Sequence, residues 1–398
     1  MSGENTMSIE KFHLPVTRVT EGPKHHFFGY FDKFPWDKSG RYLLAQELEF
    51  TARQPEPGEK AQLGMIDLQE NNRFIPLAES DAWCWQQGCM FQWLNDAETE
   101  VIYNDREGDH FVSRILDVRS GRSRTLCRPV YCLSPDGKWA LSLNFSRLDR
   151  ERPGYGYPGA YDKNELVKIP DDEGIWLMDL KNNTCRLIIS IAQITDMFYR
   201  SDMEDTPGWF NHMLFSPDSR RIAFFHRWRL KKEDGSPGWH LTHMFTANID
   251  GSDIWPLNLE LMSSHYTWTD ADHIINFSNR YSHKWQYYLY TDRSHECRII
   301  GKDVFPGDGH CSYSPDGKWM LTDSYPCEDS CRKLFLHELS SGRTLEIGSF
   351  FSDMSYPIPT RCDLHPNWSR DGRTVCIDSI HEGSRQMYTL DVSGITGC

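Results

Sequence analysis

The stretch Ser134-Pro-Asp-Gly-Lys-Trp-Ala-Leu-Ser-Leu143 decides the fold, because it does not stand alone. It returns as Ser314-Pro-Asp-Gly-Lys-Trp-Met-Leu-Thr-Asp323, and in weaker copies that begin at Ser216, Ser369 and Trp36. Two degenerate copies begin at Trp93 and Trp268. Each is a tight polar turn between aliphatic and aromatic runs, the signature of a β-hairpin. A second hairpin follows each, for example Ile175-Trp-Leu-Met-Asp-Leu180 with Cys185-Arg-Leu-Ile-Ile189. Two hairpins make a four-stranded unit that cannot bury its faces alone, so successive units must stack into a ring. The pattern predicts an all-β fold: a seven-bladed β-propeller of four-stranded antiparallel blades, forming one domain over residues 1–398. The last copy runs out after Gln386-Met-Tyr-Thr-Leu-Asp-Val392, one strand short. The N-terminal stretch Phe12–Thr20 is expected to supply that strand and close the ring, which removes free sheet edges.

Length alone, 398 residues, would suggest two or three domains. Seven repeats of about 57 residues absorb it as one. The chain carries 43 Lys and Arg against 57 Asp and Glu, a net charge of −14. That balance argues against nucleic acid or an anionic membrane as partner, and no apolar run approaches the ~20 residues of a spanning helix. Met1–Met7 has neither a basic nor an apolar signal region, and the 12 Cys form no Cys-x-x-Cys pair. We therefore expect a cytoplasmic protein, without excluding the periplasm, whose cysteines are mostly small buried hydrophobes.

With strands a to d counted outward from the axis, the Pro-Asp-Gly turns lie on the bottom face, and the b–c and d–a loops form the top. The long insertions, about 146–173 and 191–211, are top-face loops rich in Arg, Tyr, Trp and Asp, among them Arg200. When the repeats are aligned on the aromatic or Leu before each turn, the residue three places earlier is Lys33, Met90, Val130, His212, His265, His310 and His365. Four consecutive blades thus offer a histidine to the rim of the central funnel, with Asp363 two residues before His365. Strand b ends at the top with His226, Arg227, Arg280, Tyr325 and His381, and blade one is entered through His25, His26, Tyr30 and Asp32. One structural histidine per blade would show the same phase, but confinement to half the ring favours a functional cluster. His110, His240, His243, His273, His283, His295 and His337 read as ordinary surface or strand residues. Imidazole and carboxylate groups around a cavity suit a divalent cation, with Mn²⁺, Zn²⁺ and Ca²⁺ all open. Arg227 and Arg229 would make the funnel locally positive and draw in an anionic sugar.

In these phrases the second half resembles the oligogalacturonate lyase family of seven-bladed propellers: His212-Met-Leu-Phe-Ser-Pro217, Ile222-Ala-Phe-Phe-His226, Ser264-His-Tyr-Thr-Trp268 and Asp363-Leu-His-Pro-Asn-Trp-Ser369. The resemblance spans roughly residues 205–385 together with the repeat architecture. It implies a divalent metal, typically manganese, held by three His and a Gln at the centre. His265 and His365 fall on two of those His. Asp363 stands where the family has another His, and the Gln position falls near Thr360, so His310 is expected to complete the set.

The function implied is metal-assisted β-elimination of uronic-acid-containing oligosaccharides. The proton at C5, beside the carboxylate, is removed and the C4 oxygen expelled. The barrier falls when a cation neutralises the enolate-like intermediate. The expected roles give the metal to His265, His310, Asp363 and His365, and general-base duty to His212 or His226. Arg227 and Arg280 take the carboxylate, Tyr30 supplies the acid, and His25, His26, Arg200 and Tyr325 add substrate contacts. Two other classes fit the fold: a propeller glycoside hydrolase drawing on Asp32, Asp205 or Asp363, and a non-catalytic propeller that binds a sugar or a protein.

Overall fold

Each Ser-x-Asp-Gly turn is locked by its own side chains. In blade three, Ser134 Oγ donates to Asp136 Oδ1 (2.6 Å) and accepts from the Trp139 N–H (2.9 Å). Gly137 sits at φ +69°, the left-handed region where a Cβ is penalised. Ser314 and Ser369 repeat this pattern. In blade four Ser219 takes the glycine's place at φ +61°, which costs roughly 1 kcal/mol. Its hydroxyl accepts from the Asp136 N–H (3.1 Å), so the strained turn also ties blade four to blade three.

The structure, a computed structural model, describes residues 9–94, 98–232, 234, 236–280 and 284–397. The sequence readings placed on Met1–Met7, on the turn after Trp93 and on His283 lie outside the described residues. Seven sheets form the ring, with the four blade strands paired antiparallel in chain order. Blade four is Trp209–Phe215, Arg221–Lys231, Pro237–Asn248 and Trp255–Asn258. Blade five is Ser263–Trp268, His273–Ser278, Gln286–Thr291 and Cys297–Ile300. Blade six is Ser312–Tyr313, Trp319–Asp323, Cys331–Glu338 and Thr344–Phe351. Alternation along the strands gives every blade two apolar faces, and the core is the set of layers where neighbouring blades press together.

Blade seven, Asn367–Trp368, Thr374–Ser379 and Gln386–Asp391, is completed by Thr17–Arg18 from the N-terminal stretch, with Thr17 opposite Thr389. The closing strand is therefore present, although shorter than the run Phe12–Thr20 suggested. A second contribution was not anticipated. Glu10–Lys11 pairs in parallel with the outer strand of blade six, Glu10 opposite Leu345. One segment thus covers two adjacent outer edges. No described helix is long and apolar enough to cross a membrane.

The first long insertion opens with a helix, Phe145–Glu151, whose N-terminus is capped by Asn144 accepting from the Arg147 N–H (2.9 Å). The buried Arg147 guanidinium donates to the carbonyls of Gly208 (2.8 Å) and Val167 (2.9 Å), pinning both insertions together. The second insertion packs Met203 against Trp228 and Leu241.

Candidate functional site

The four histidines expected at the funnel converge there. Ring centroids lie 5.9 Å apart for His212 and His265, 4.1 Å for His265 and His310, and 4.5 Å for His310 and His365. Bulges do part of the aiming. The pairing of strands a and b slips between Asn211 and Leu214, and again between Ser263 and Tyr266. His212 and His365 hold φ +47° and +44°, unusual for residues with a Cβ and characteristic of functional sites. Burial keeps His212, His310 and His365 well below the usual imidazole range, hence neutral.

Tyr30 reaches this cluster by a detour in blade one. The first strand there stops at Phe27, and Gly29 turns the chain at φ +130°, where a Cβ would stand 3.2 Å from the Gln87 carbonyl oxygen. Tyr30 then stacks on His212 (5.4 Å between centroids, 23° between planes) and meets His365 edge-on at 4.8 Å. It forms the floor beneath the histidines. Burial pushes its phenol pKa well up, so the proton stays on.

Carboxylates orient two of the imidazoles. His265 Nδ1 is 3.0 Å from Asp308, and His310 Nδ1 is 2.9 Å from Asp323. With the proton on Nδ1 donated to the carboxylate, each Nε2 is left as a lone-pair donor, the arrangement that prepares a histidine for a cation. The buried Nε2 atoms of His310 and His365 have no hydrogen-bond partner, and Asp363 Oδ2 lies 2.9 Å from Arg361 Nε. One ligand atom each from His310, Asp363 and His365 fall within 4.8 Å of one another. Two unpartnered imidazole nitrogens converging on a buried carboxylate fit a divalent cation. His265 is not in this group, although its ring centroid lies 4.1 Å from that of His310. Thr360 does not replace the missing Gln, since its hydroxyl donates to the Pro357 carbonyl. Asp363 Oδ1 is held by two arginines: Arg332 Nη2 at 2.6 Å and Arg361 Nε at 3.0 Å. Burial alone would raise this carboxyl, but the two guanidinium charges hold it far below the usual carboxylate range.

Above His212 and His265 opens a cleft of about 630 Å³. Its lining includes His212, His265, Arg152, Arg227, Arg332, Arg361, Tyr155 and Tyr325. Arg227 Nε donates to Thr242 Oγ1 (3.1 Å), while its buried Nη1 has no partner. Burial, reinforced by the Arg152 charge, pulls its pKa from 12.5 to about 10. Arg152 lies 3.3 Å from His240 Nδ1, and its Nε is likewise buried without a partner. Neither arginine is ion-paired with a described carboxylate, so a protein of net charge −14 keeps two unpaired cations in its cleft.

Several residues expected here lie elsewhere. His226 neighbours Arg227 on one strand, and alternation turns it away from the cleft, against Phe210 and Trp228. Arg280 donates to the Leu257 and His295 carbonyls and packs on Tyr290. Arg200 is engaged with Asp202 through two contacts. His26 bonds Gln386 and Glu47 at the junction of blades one and seven, and His25 Nδ1 accepts from the Arg385 N–H. The second insertion does not line the cleft. Among the hydrolase acids, Asp32 is tied to Lys33, and Asp205 faces Lys168 and Lys231. His240, read as an ordinary strand residue, lines the cleft.

His226 faces His243 across the strand pair, and all four ring nitrogens are buried without partners. Burial holds them at about 3 and about 4, the Arg200 charge adding to the effect at His243. Both folded values lie below the unfolded value of 6.5. The unfolded chain therefore takes up protons first, and stability is lost as pH falls from about 6.5 through about 4. Thermal melts of a His243→Leu variant should show a flatter loss over that range. An unchanged acid limb would show that His243 does not drive it.

No family model and no curated protein sequence matches the chain. Solved structures do. An oligogalacturonate lyase from Vibrio parahaemolyticus is 15% identical over 97% of this chain and 97% of its own, with a TM-score of 0.66. Nearly the whole chain follows the fold of that lyase. An oligogalacturonate lyase in complex with manganese is 14% identical over 97% of this chain and 96% of its own, TM-score 0.67. A puromycin-hydrolysing peptidase of Mycobacterium tuberculosis also matches, 12% identical over 98% of this chain but only 56% of the peptidase, TM-score 0.58. At these identities the likeness is one of architecture, shared with propellers of other activities.

Proposed function

We propose that this protein is a lyase that cleaves uronic-acid-containing oligosaccharides by β-elimination in the top-face cleft. The observation that carries the reading is the pair of unpaired cations, Arg152 and Arg227, which line the cleft together with neutral His212. The donors of His310, Asp363 and His365 lie behind that lining, in contact with it through His265 and Arg332. An Arg pair suits a planar carboxylate. A divalent cation on His310, Asp363 and His365, Mn²⁺ by analogy with the manganese-bound lyase, would further offset the charge that grows on the substrate carboxylate. Arg152 and Arg227 hold that carboxylate. His212 takes the C5 proton, the C4–O bond breaks as the C4=C5 bond forms, and the Tyr155 phenol returns a proton to the departing oxygen. Tyr155 lines the cleft with its ring 6.0 Å from that of His212, which suits this role better than the floor residue Tyr30.

The test is a panel of uronate oligosaccharides scanned for the ultraviolet absorbance of the conjugated product, alongside elemental analysis of the purified protein. His365→Ala is expected to abolish both metal retention and product, and full activity in that variant would overturn the metal assignment. Asp308 and Asp353 also line the cleft, which makes hydrolysis the second reading. New reducing ends without unsaturated product would favour it.

A further inference from the structure

The cleft is not uniform with depth. Its cations lie low: Arg227 and Arg332 are buried, and Arg152 and Arg361 are mostly so. Its rim is exposed and apolar. Trp239 is 61% exposed, Trp285 40%, Met354 65% and Ile358 70%, and all four line the cleft. Among the described tryptophans, Trp239 and Trp285 alone are exposed. Both are braced from behind. Trp239 stacks on His240 (4.9 Å, 23°), which in turn lies beside Arg152, and Trp285 stacks on Phe277 (5.5 Å, 21°). A ring held flat by a partner on one face, with exposed area in a cleft, is a ready surface for the C–H face of a pyranose. Exposed apolar area of this kind marks a binding surface. The charged group that joins Met354 on the rim is an acid, Asp353, whose carboxylate accepts the Ser355 N–H (2.9 Å). A second uronate beside Trp285 and Met354 would meet that like charge, while the Arg361 guanidinium is already engaged with the Ile358 carbonyl and with Asp363.

We propose that the rim is a subsite for an uncharged pyranose with an apolar face, so that the preferred substrate is a mixed chain in which each uronate adjoins a neutral sugar. This rests on the lyase reading for the deep half of the cleft, and it departs from a chain made of uronates alone. The neutral neighbour stacks on Trp285 against Met354 and Ile358, while the uronate carboxylate descends to Arg152 and Arg227.

The experiment compares two tetrasaccharides by titration calorimetry on the intact protein, one alternating uronate with 6-deoxyhexose, the other tetragalacturonate. The mixed tetrasaccharide is expected to bind roughly tenfold tighter. Trp285→Ala should erase most of that preference, Trp285→Phe should keep most of it, and Asp353→Asn should narrow it by strengthening tetragalacturonate. Equal or tighter binding of tetragalacturonate, or no binding of either, overturns the proposal, as does a preference that Trp285→Ala leaves intact. The same samples are scanned for unsaturated product. Preference without product sinks the lyase reading and leaves the rim assignment standing, and product without preference does the reverse.

Discussion

Replacing Arg227 by alanine should lower kcat/KM on a uronate oligosaccharide by roughly a thousandfold, mostly through kcat. Arg227 is buried, makes no ion pair, and leaves Nη1 without a partner. Its charged form is costly in the free protein, as the pull on its pKa to about 10 shows. That cost is relieved when a carboxylate arrives, and relieved further as the intermediate gains a second negative charge. An interaction that strengthens along the reaction coordinate lowers the barrier rather than merely tightening binding. Lysine at the position should recover only part of the loss, because an ammonium cannot form the two parallel bonds of a guanidinium. Thermal melts separate this from damage to the fold. Deleting an unpaired buried charge should leave the melting temperature unchanged or raised. Steady-state kinetics of Arg227→Ala close to those of the unaltered protein would remove Arg227 from the mechanism.

The fold was legible because a propeller writes itself as a repeat. Ser134, Ser216, Ser314 and Ser369 fix the same turn by the same hydrogen bonds, and each copy places a hairpin. The histidines were legible for a related reason: residues in phase with that turn share one height in the funnel. What the sequence withheld depends on contacts between distant segments. His226 and Arg227 are adjacent, and only the register of strand b with its neighbours says which faces the cleft. Arg280 carries no mark distinguishing it from a cleft residue until its carbonyl acceptors are seen. The sequence also concealed the role of Arg332, which meets Asp363 from the neighbouring blade. A buried carboxylate at residue 363 was a sign that some cation had to come to it, but nothing local names which. Tyr30 was anticipated at the centre, yet its place beneath the histidines follows from the detour at Gly29, for which the repeat offers no precedent.

Arg332 is expected to be the costliest of the cleft arginines to remove for stability. Its side chain is 3% exposed and that of Asp363 0%, with Nη2 and Oδ1 2.6 Å apart. Removing one partner of such a pair strands a charge away from water, at a cost near 3–5 kcal/mol. Arg332→Leu should fall at the low end, about 3 kcal/mol, since Arg361 Nε stays 3.0 Å from the same carboxylate. The ion pair and simple packing make different forecasts for the double variant. If the stranded charge is the cause, adding Asp363→Asn to Arg332→Leu should restore stability, because a neutral amide is far less costly to bury than a carboxylate. If the loss comes from the contact between the guanidinium and the Tyr325 ring, 5.4 Å from its centroid, the second substitution should bring no recovery. Denaturant unfolding of the two single variants and the double decides between them. Additive losses would mean that the charge of Asp363 is balanced by Arg361 alone, and that Arg332 serves the cleft wall rather than the ion pair.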